Sequence, residues 1–120
     1  MKGLNYNMKQ IKAVIRPEKL SDVRRALENA GCYHGVMITN IMGQGAQKGI
    51  TQVWRGDKYQ IDLLHKVMID LVVKDEDLPV IKKVLIESAR TGEIGDGKIF
   101  IYNVEEVVRI RTGDEDNDAL

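Results

Sequence analysis

The segment 91–100 reads Thr-Gly-Glu-Ile-Gly-Asp-Gly-Lys-Ile-Phe, with Gly92, Gly95 and Gly97 close together. Glycines at this spacing let successive backbone amides converge on an anion with no side chain in the way. Lys98 adds a positive charge at the exit. The combination suits a polyphosphate. It is not a Walker A loop, because the G-x-x-x-x-G-K-[ST] pattern is absent. A plain connection from a helix to a strand has the same composition, and both readings stand at this level. Further on, Val107 to Gly113 reads Val-Val-Arg-Ile-Arg-Thr-Gly. Its alternation predicts an extended segment in which Arg109 and Arg111 point the same way, about 6.5 Å apart. That spacing suits two oxygens of a di- or triphosphate, which arginine engages through its planar fork of donors. Equally, the two arginines pair with Glu105, Glu106 or the acidic tail.

Other candidates fall between residues 43 and 66. Gln47 and Lys48 sit between Gly45 and Gly49, where an amide oxygen is open to a hard cation such as Mg²⁺. Trp54-Arg55-Gly56-Asp57-Lys58-Tyr59 has the make-up of a recognition tip, since Trp and Arg are enriched at binding hot spots; a hairpin turn with Gly56 at positive φ is the alternative. Lys66, beside His65, can anchor a carboxylate or be a solvated strand end. His34 and His65 are the only histidines, and neither has a metal-ligand spacing with Cys32. No Ser-His-Asp set or carboxylate pair stands out, so no catalytic constellation is expected.

These residues need a scaffold. Ile11, Ala13 and Ile15 alternate with Gln10 and Lys12, the pattern of a half-buried strand. After Pro17, Leu20, Val23, Leu27 and Ala30 make one helical stripe, and Gly31 suits a left-handed cap. Val36 to Met42 is a second strand. Val67, Ile69, Leu71 and Val73 then alternate, and Asp77 is placed to cap a helix with inward Leu78, Ile81, Val84, Leu85 and Ala89. Pro79 is tolerated in its first turn. Lys98 to Val104 is the last main strand. The order is β-α-β, an insertion from about Gly43 to Leu63, then β-α-β, which predicts an α+β ferredoxin-like sandwich. Met8, Met68, Val72, Phe100 and Tyr102 supply a second apolar sheet face, which oligomerisation would cover. A long loop inside a compact domain is usually functional or disordered.

Composition narrows the classes. The 120 residues suit one domain, 1–120. Eighteen basic and eighteen acidic residues balance, which argues against a general nucleic-acid binder. The single cysteine, Cys32, fits a reducing compartment. No apolar run approaches the roughly 20 residues that span a bilayer. Met1 to Asn7 lacks the apolar region of a signal peptide. The expectation is a cytoplasmic protein.

In this order the segments resemble the PII (nitrogen-regulatory P-II) family. Its signatures are a loop of the form Y-R-G-x-x-Y, here Trp-Arg-Gly-Asp-Lys-Tyr at 54–59, and T-G-x-x-G-D-G-K-I-F, here at 91–100. Supporting matches are Ile-Arg-Pro-Glu-Lys-Leu at 15–20, Gly-Gln-Gly-Ala-Gln-Lys-Gly at 43–49 and Arg-Ile-Arg-Thr-Gly at 109–113. The resemblance covers about residues 8 to 120.

The resemblance implies a homotrimer with nucleotide sites between subunits, and a regulatory protein that is not an enzyme. It names a T-loop at about 44–62, a B-loop at 91–98 and a C-terminal segment at 105–120. It implies that ATP or ADP is held by Asp70, Val72, Thr91, Gly92, Gly95, Asp96, Gly97, Lys98, Arg109 and Arg111, with Arg111 from the neighbouring subunit. It implies 2-oxoglutarate at Gln47, Lys48 and Lys66, and Mg²⁺ at Gln47. Trp54, Arg55 and Gly56 would meet a partner, foremost an ammonium transporter at the cytoplasmic face of the membrane, with peripheral membrane association when bound. A nitrogen-assimilation enzyme, a nitrogenase or a transcription factor is the alternative partner, and nucleic acid is not expected. Tyr59 matches a tyrosine that some bacterial members uridylylate. Trp54, Lys58 and His65 depart from the family's usual tyrosine, acidic residue and proline. Met37 stands where threonine often faces the adenine, and an extra residue lies near Cys32 to Gly35. An acylphosphatase-type enzyme on the same fold would need a phosphate loop after the first strand, and Arg16-Pro17-Glu18 lacks it.

Overall fold

The computed structural model describes residues 7–44, 50–54, 57–61 and 63–120. Strand β1 (Met8–Ile15) leads through a 3-10 turn at Pro17–Lys19 into α1 (Leu20–Ala30). Then come β2 (Met37–Gln44), β3 (Ile50–Trp54), β4 (Asp57–Ile61) and β5 (Leu63–Lys74). A second 3-10 turn, Asp75–Asp77, opens α2 (Leu78–Ala89), which is followed by β6 (Lys98–Val104). The main sheet has the order β2-β5-β1-β6 with every pair antiparallel. Two helices pack on one face of this sheet, which is the ferredoxin-like α+β architecture.

Period-two patterning decides which face is buried. Ile11, Ala13 and Ile15 on β1 and Val67, Ile69, Leu71 and Val73 on β5 are all buried. They meet Val23 and Leu27 of α1 and Ile81 and Leu85 of α2 in one core. Ile69 has no solvent exposure, on the strand next to the centre of the sheet. Ile69→Val should lower unfolding free energy by about 0.5–1.5 kcal/mol. Denaturant titration checks this, and an unchanged midpoint would mean that the neighbours close the gap at no cost.

Local signals act as the sequence suggests at one helix end and differently at another. Gly31 adopts φ 73°, and its amide donates to the Leu27 carbonyl at 3.2 Å, closing α1 with a left-handed residue. Asp77 does not cap α2 through its side chain. It already has helical backbone angles (φ −89°, ψ −14°) as the last residue of the 3-10 turn. A capping side chain needs an extended backbone to fold back onto the first amides.

Strand ends also differ from the expectation. β2 starts at Met37 instead of Val36 and runs on to Gln44, while β5 starts at Leu63. Gly43 pairs with Leu64 and Gln44 with Leu63, so the ladder extends beyond the β-branched residues. Within the insertion β3 and β4 form an antiparallel hairpin, from Ile50 opposite Ile61 to Trp54 opposite Asp57.

The sheet face away from the helices is only partly apolar. Met37, Asp70, Lys12 and Phe100 lie in one cross-strand row, and Val72, Gln10 and Tyr102 in the next. Phe100 and Tyr102 are about half exposed, but Met8 is already buried within a single chain. The Lys12 ammonium lies 5.6 Å from the Tyr102 ring centroid, a cation–π contact on this face. Among the described residues no helix is long and apolar enough to cross a membrane.

Candidate functional site

The loop between α2 and β6 is built around one carboxylate. Asp96 Oδ2 accepts the backbone N–H of Thr91 at 2.9 Å and of Gly92 at 2.8 Å. Its Oδ1 accepts the Thr91 hydroxyl and the Arg16 Nε–H, the latter at 2.9 Å. Arg16 also donates to the Ile94 carbonyl at 2.8 Å. The Glu93 amide donates to Thr91 Oγ1 at 3.1 Å. The Thr91 hydroxyl and the Arg16 guanidinium hold the Asp96 carboxyl far below the usual carboxylate range. The loop therefore cradles an anion of its own at its start. The amides of Thr91 and Gly92 are occupied, so a bound phosphate would meet the Gly95–Lys98 end.

That end is pressed against the sheet. Gly97 has φ 96°, and a Cβ built on it would lie 1.7 Å from the Val14 carbonyl oxygen. Lys66, on β5, donates its ammonium to the Gly95 carbonyl. Lys66 lies opposite Ile41 of β2, close to where β2 and β5 lead into the insertion. A cavity of about 560 Å³ opens here, lined among others by Lys66, Lys98, Gly95, Gly97 and Phe100. Gly43 and Gln44, the last residues of β2, form its other wall. Glu93 and Asp96 also line it, so the cavity sets two ammonium groups and a glycine-rich backbone beside two carboxylates, of which Asp96 is already taken up by Thr91, Gly92 and Arg16.

Asp70 lies on the same sheet face, in the row of Lys12 and Phe100. It is 9 % exposed, and Gln10 Nε2 donates to both its oxygens, at 2.9 and 3.1 Å. Val72 is half-buried in the adjoining row. Neither lines the cavity.

Arg109 and Arg111 do not share one extended segment: Val108 bridges Glu115 and the Arg109 amide donates to the Asp114 carbonyl at 2.8 Å, and the chain turns at residues 110–112. The Gly113 amide donates to the Arg109 carbonyl at 2.7 Å and closes a turn over the residues between. Gly113 takes φ 74°, which permits the reversal. Arg109 lies 3.5 Å from Asp114 in the acidic tail. Within one chain neither arginine reaches the 91–98 loop cavity.

Gln47, Lys48, Arg55 and Gly56 lie outside the described residues. Trp54 ends β3 and Tyr59 is in β4 opposite Gln52. Among the described residues no three His, Cys, Asp or Glu side chains gather to hold a metal ion.

Arg16 and Gln10 were not among the candidates drawn from the sequence. The alternation of β1 puts Gln10 on the face that carries Asp70, so strand pairing would have found it. Arg16 lies 80 positions from its partner, and only the tertiary fold joins them.

The chain was compared with known proteins. The family model for nitrogen regulatory protein P-II matches residues 8–114. The chain is 55 % identical over 113 residues to nitrogen regulatory protein P-II 2 of Methanothermobacter thermautotrophicus, covering 94 % of this chain and 97 % of that protein. It is 49 % identical to nitrogen regulatory protein P-II of Pasteurella multocida, covering 94 % of this chain and all (100 %) of that one. The crystal structure of Arabidopsis thaliana PII bound to citrate superimposes with a TM-score of 0.78 at 32 % identity, covering 97 % of this chain and 94 % of that one. The chain belongs to the nitrogen regulatory protein P-II family, whose members are regulatory signal transducers and not enzymes.

Proposed function

We propose that this regulator senses ATP or ADP together with Mg²⁺ and 2-oxoglutarate, and passes the result to a partner protein through the 44–62 insertion. The observation that carries the reading is the contact between Lys66, near the base of the insertion, and the Gly95 carbonyl in the 91–98 loop. The Lys66 ammonium keeps two further donors for an anion, so one side chain ties the 91–98 loop, the bound effector and the strand that leads out of the insertion together. The citrate-bound PII of Arabidopsis thaliana, a family member holding a small carboxylate, supports effector binding of this kind.

In this proposal Gly95, Gly97 and Lys98 cradle phosphate, and Thr91, Gly92 and Asp96 set the loop's shape. Asp70 and Val72 flank the adenosine. Arg109 and Arg111 join from a neighbouring subunit of a homotrimer, leaving the Asp114 contact. Lys66, Gln47 and Lys48 bind 2-oxoglutarate, and Gln47 with the nucleotide phosphates holds Mg²⁺. Each effector shifts the insertion only by its difference in affinity for two forms of it. The partner is an ammonium transporter at the cytoplasmic face of the membrane, contacted by Trp54, Arg55 and Gly56. Tyr59 is the residue open to modification. Lys66→Ala should weaken 2-oxoglutarate binding in the presence of MgATP by roughly tenfold or more, the loss of one charge-assisted hydrogen bond. Calorimetric titration with ATP, ADP and 2-oxoglutarate, alone and together, tests the reading. Unchanged 2-oxoglutarate affinity in Lys66→Ala, or no nucleotide binding by the parent protein, would overturn it.

A further inference from the structure

The chain from Val107 to Asp116 folds back on itself as a short hairpin. Val108 bridges Glu115, the Arg109 amide donates to the Asp114 carbonyl at 2.8 Å, and the Asp116 amide donates to the Val107 carbonyl at 2.7 Å. Across the turn the Gly113 amide donates to the Arg109 carbonyl at 2.7 Å. Arg109 and Asp114 are therefore cross-strand neighbours, with Cβ atoms about 5 Å apart. The Thr112 hydroxyl accepts the Asp114 amide at 3.2 Å and fixes Asp114 from the side of the turn. The outcome is an ion pair, Arg109 Nη1 to Asp114 Oδ2 at 3.5 Å.

The acidic tail offers other carboxylates, and the hairpin selects among them. Asp114, Glu115, Asp116 and Asp118 lie within five positions. The Asp116 carboxylate accepts the Val107 amide at 3.5 Å. Among the described residues Arg111, Glu115 and Asp118 enter no ion pair, and Arg109 pairs with Asp114 alone. Ile110, at the tip of the turn, is fully exposed, so no apolar burial anchors the tip. The hairpin is held by its backbone bonds and this charge pair, which makes it an element that opens at low cost.

We propose that Asp114 is an autoinhibitory stand-in for phosphate, occupying within its own chain the arginine that a nucleotide needs. This rests on the reading above, in which Arg109 joins a nucleotide held by a neighbouring subunit. A carboxylate and a phosphate oxygen offer a guanidinium the same chemistry, an anionic acceptor for its fork of donors. Because the two acceptors lie on different chains, the nucleotide displaces Asp114 as it gains Arg109. The apparent affinity is then lowered by the fraction of chains in which Arg109 is free. The Arg109 and Asp114 side chains are 35 % and 48 % exposed, so the latch is weak enough for a nucleotide to open and still raises the concentration at which the site fills.

Calorimetric titration of ATP into the full chain tests this. Asp114→Asn keeps the shape and the backbone hydrogen bonds and removes the charge. It should bind ATP roughly two- to fivefold more tightly than the parent, the range that a partly exposed ion pair supports. Asp118→Asn removes the same charge from the same tail without touching Arg109, and should bind as the parent does. Arg109→Gln should bind more weakly, and adding Asp114→Asn to it should bring no gain. The inference fails if Asp114→Asn binds no more tightly, if Asp118→Asn gains as much, or if the gain survives in the Arg109→Gln background. A parent chain that binds no ATP, or an Arg109→Gln variant that binds as the parent does, would overturn the nucleotide reading at Arg109 and this inference with it. Parent binding that depends on Arg109, with no gain in Asp114→Asn, would overturn the inference alone.

Discussion

Gly97→Ala is expected to destabilise the fold by about 2–5 kcal/mol and to weaken nucleotide binding in parallel. The added methyl would stand 1.7 Å from the Val14 carbonyl oxygen and 2.8 Å from its carbon. Neither atom can yield easily, because Val14 is held in register by Met68 on one side and Lys98 on the other. The backbone at Gly97 has φ 96°, where an L side chain is strained even in open space. The loop must therefore lift off β1, taking Gly95 and Lys98 from their places in the cavity. Gly92→Ala is the control. It has a similar φ of 90° but nothing within 4 Å of the new methyl, so it should cost only about 1–2 kcal/mol. Denaturant unfolding of both variants separates strain from collision. Equal losses would show that Val14 does not wedge the loop.

That difference between two glycines of one loop marks how far the sequence can be read. Alternation at Ile11, Ala13 and Ile15 and at Val67 to Val73 admits one buried face, so the sheet, its helices and the ferredoxin-like order follow directly. Composition shows that the 91–98 loop is glycine-rich. It does not show that Gly97 abuts a carbonyl of β1, because that neighbour is set by the tertiary fold. The same holds for strand ends: Gln44 and Leu63 are strand residues because they face each other, and neither has strong β propensity in its favour. At Arg109 and Arg111 alternation misleads. A stretch that reads as extended closes instead through Gly113, whose left-handed angle a period-two pattern does not register. The insertion is legible in its length and glycines, and its described part is the β3–β4 hairpin.

Asp96→Asn should loosen the 91–98 loop, lower nucleotide affinity by about 100-fold and flatten the acid limb of the stability profile. Both carboxylate oxygens are in use. Oδ2 serves the Thr91 and Gly92 amides, and Oδ1 serves the Thr91 hydroxyl and the Arg16 guanidinium. An amide group keeps one oxygen and turns an NH₂ towards donors at the other position, whichever way it is flipped. It also leaves Arg16 without its counter-charge. The sign of the pH effect follows from the depressed pKa. An unfolded aspartate titrates near about 3.9, while the folded carboxyl titrates well below that. The folded protein thus gains stability from Asp96 at every pH above the unfolded value, and loses it as pH falls through the folded one. Wild type should exceed Asp96→Asn in stability at neutral pH, with the gap unchanged down to about pH 4 and closing below it. Denaturant titrations at a series of pH values, with nucleotide titrations at neutral pH, measure both effects. A gap of constant size down to strong acid would show that the carboxylate's charge is not what holds the loop.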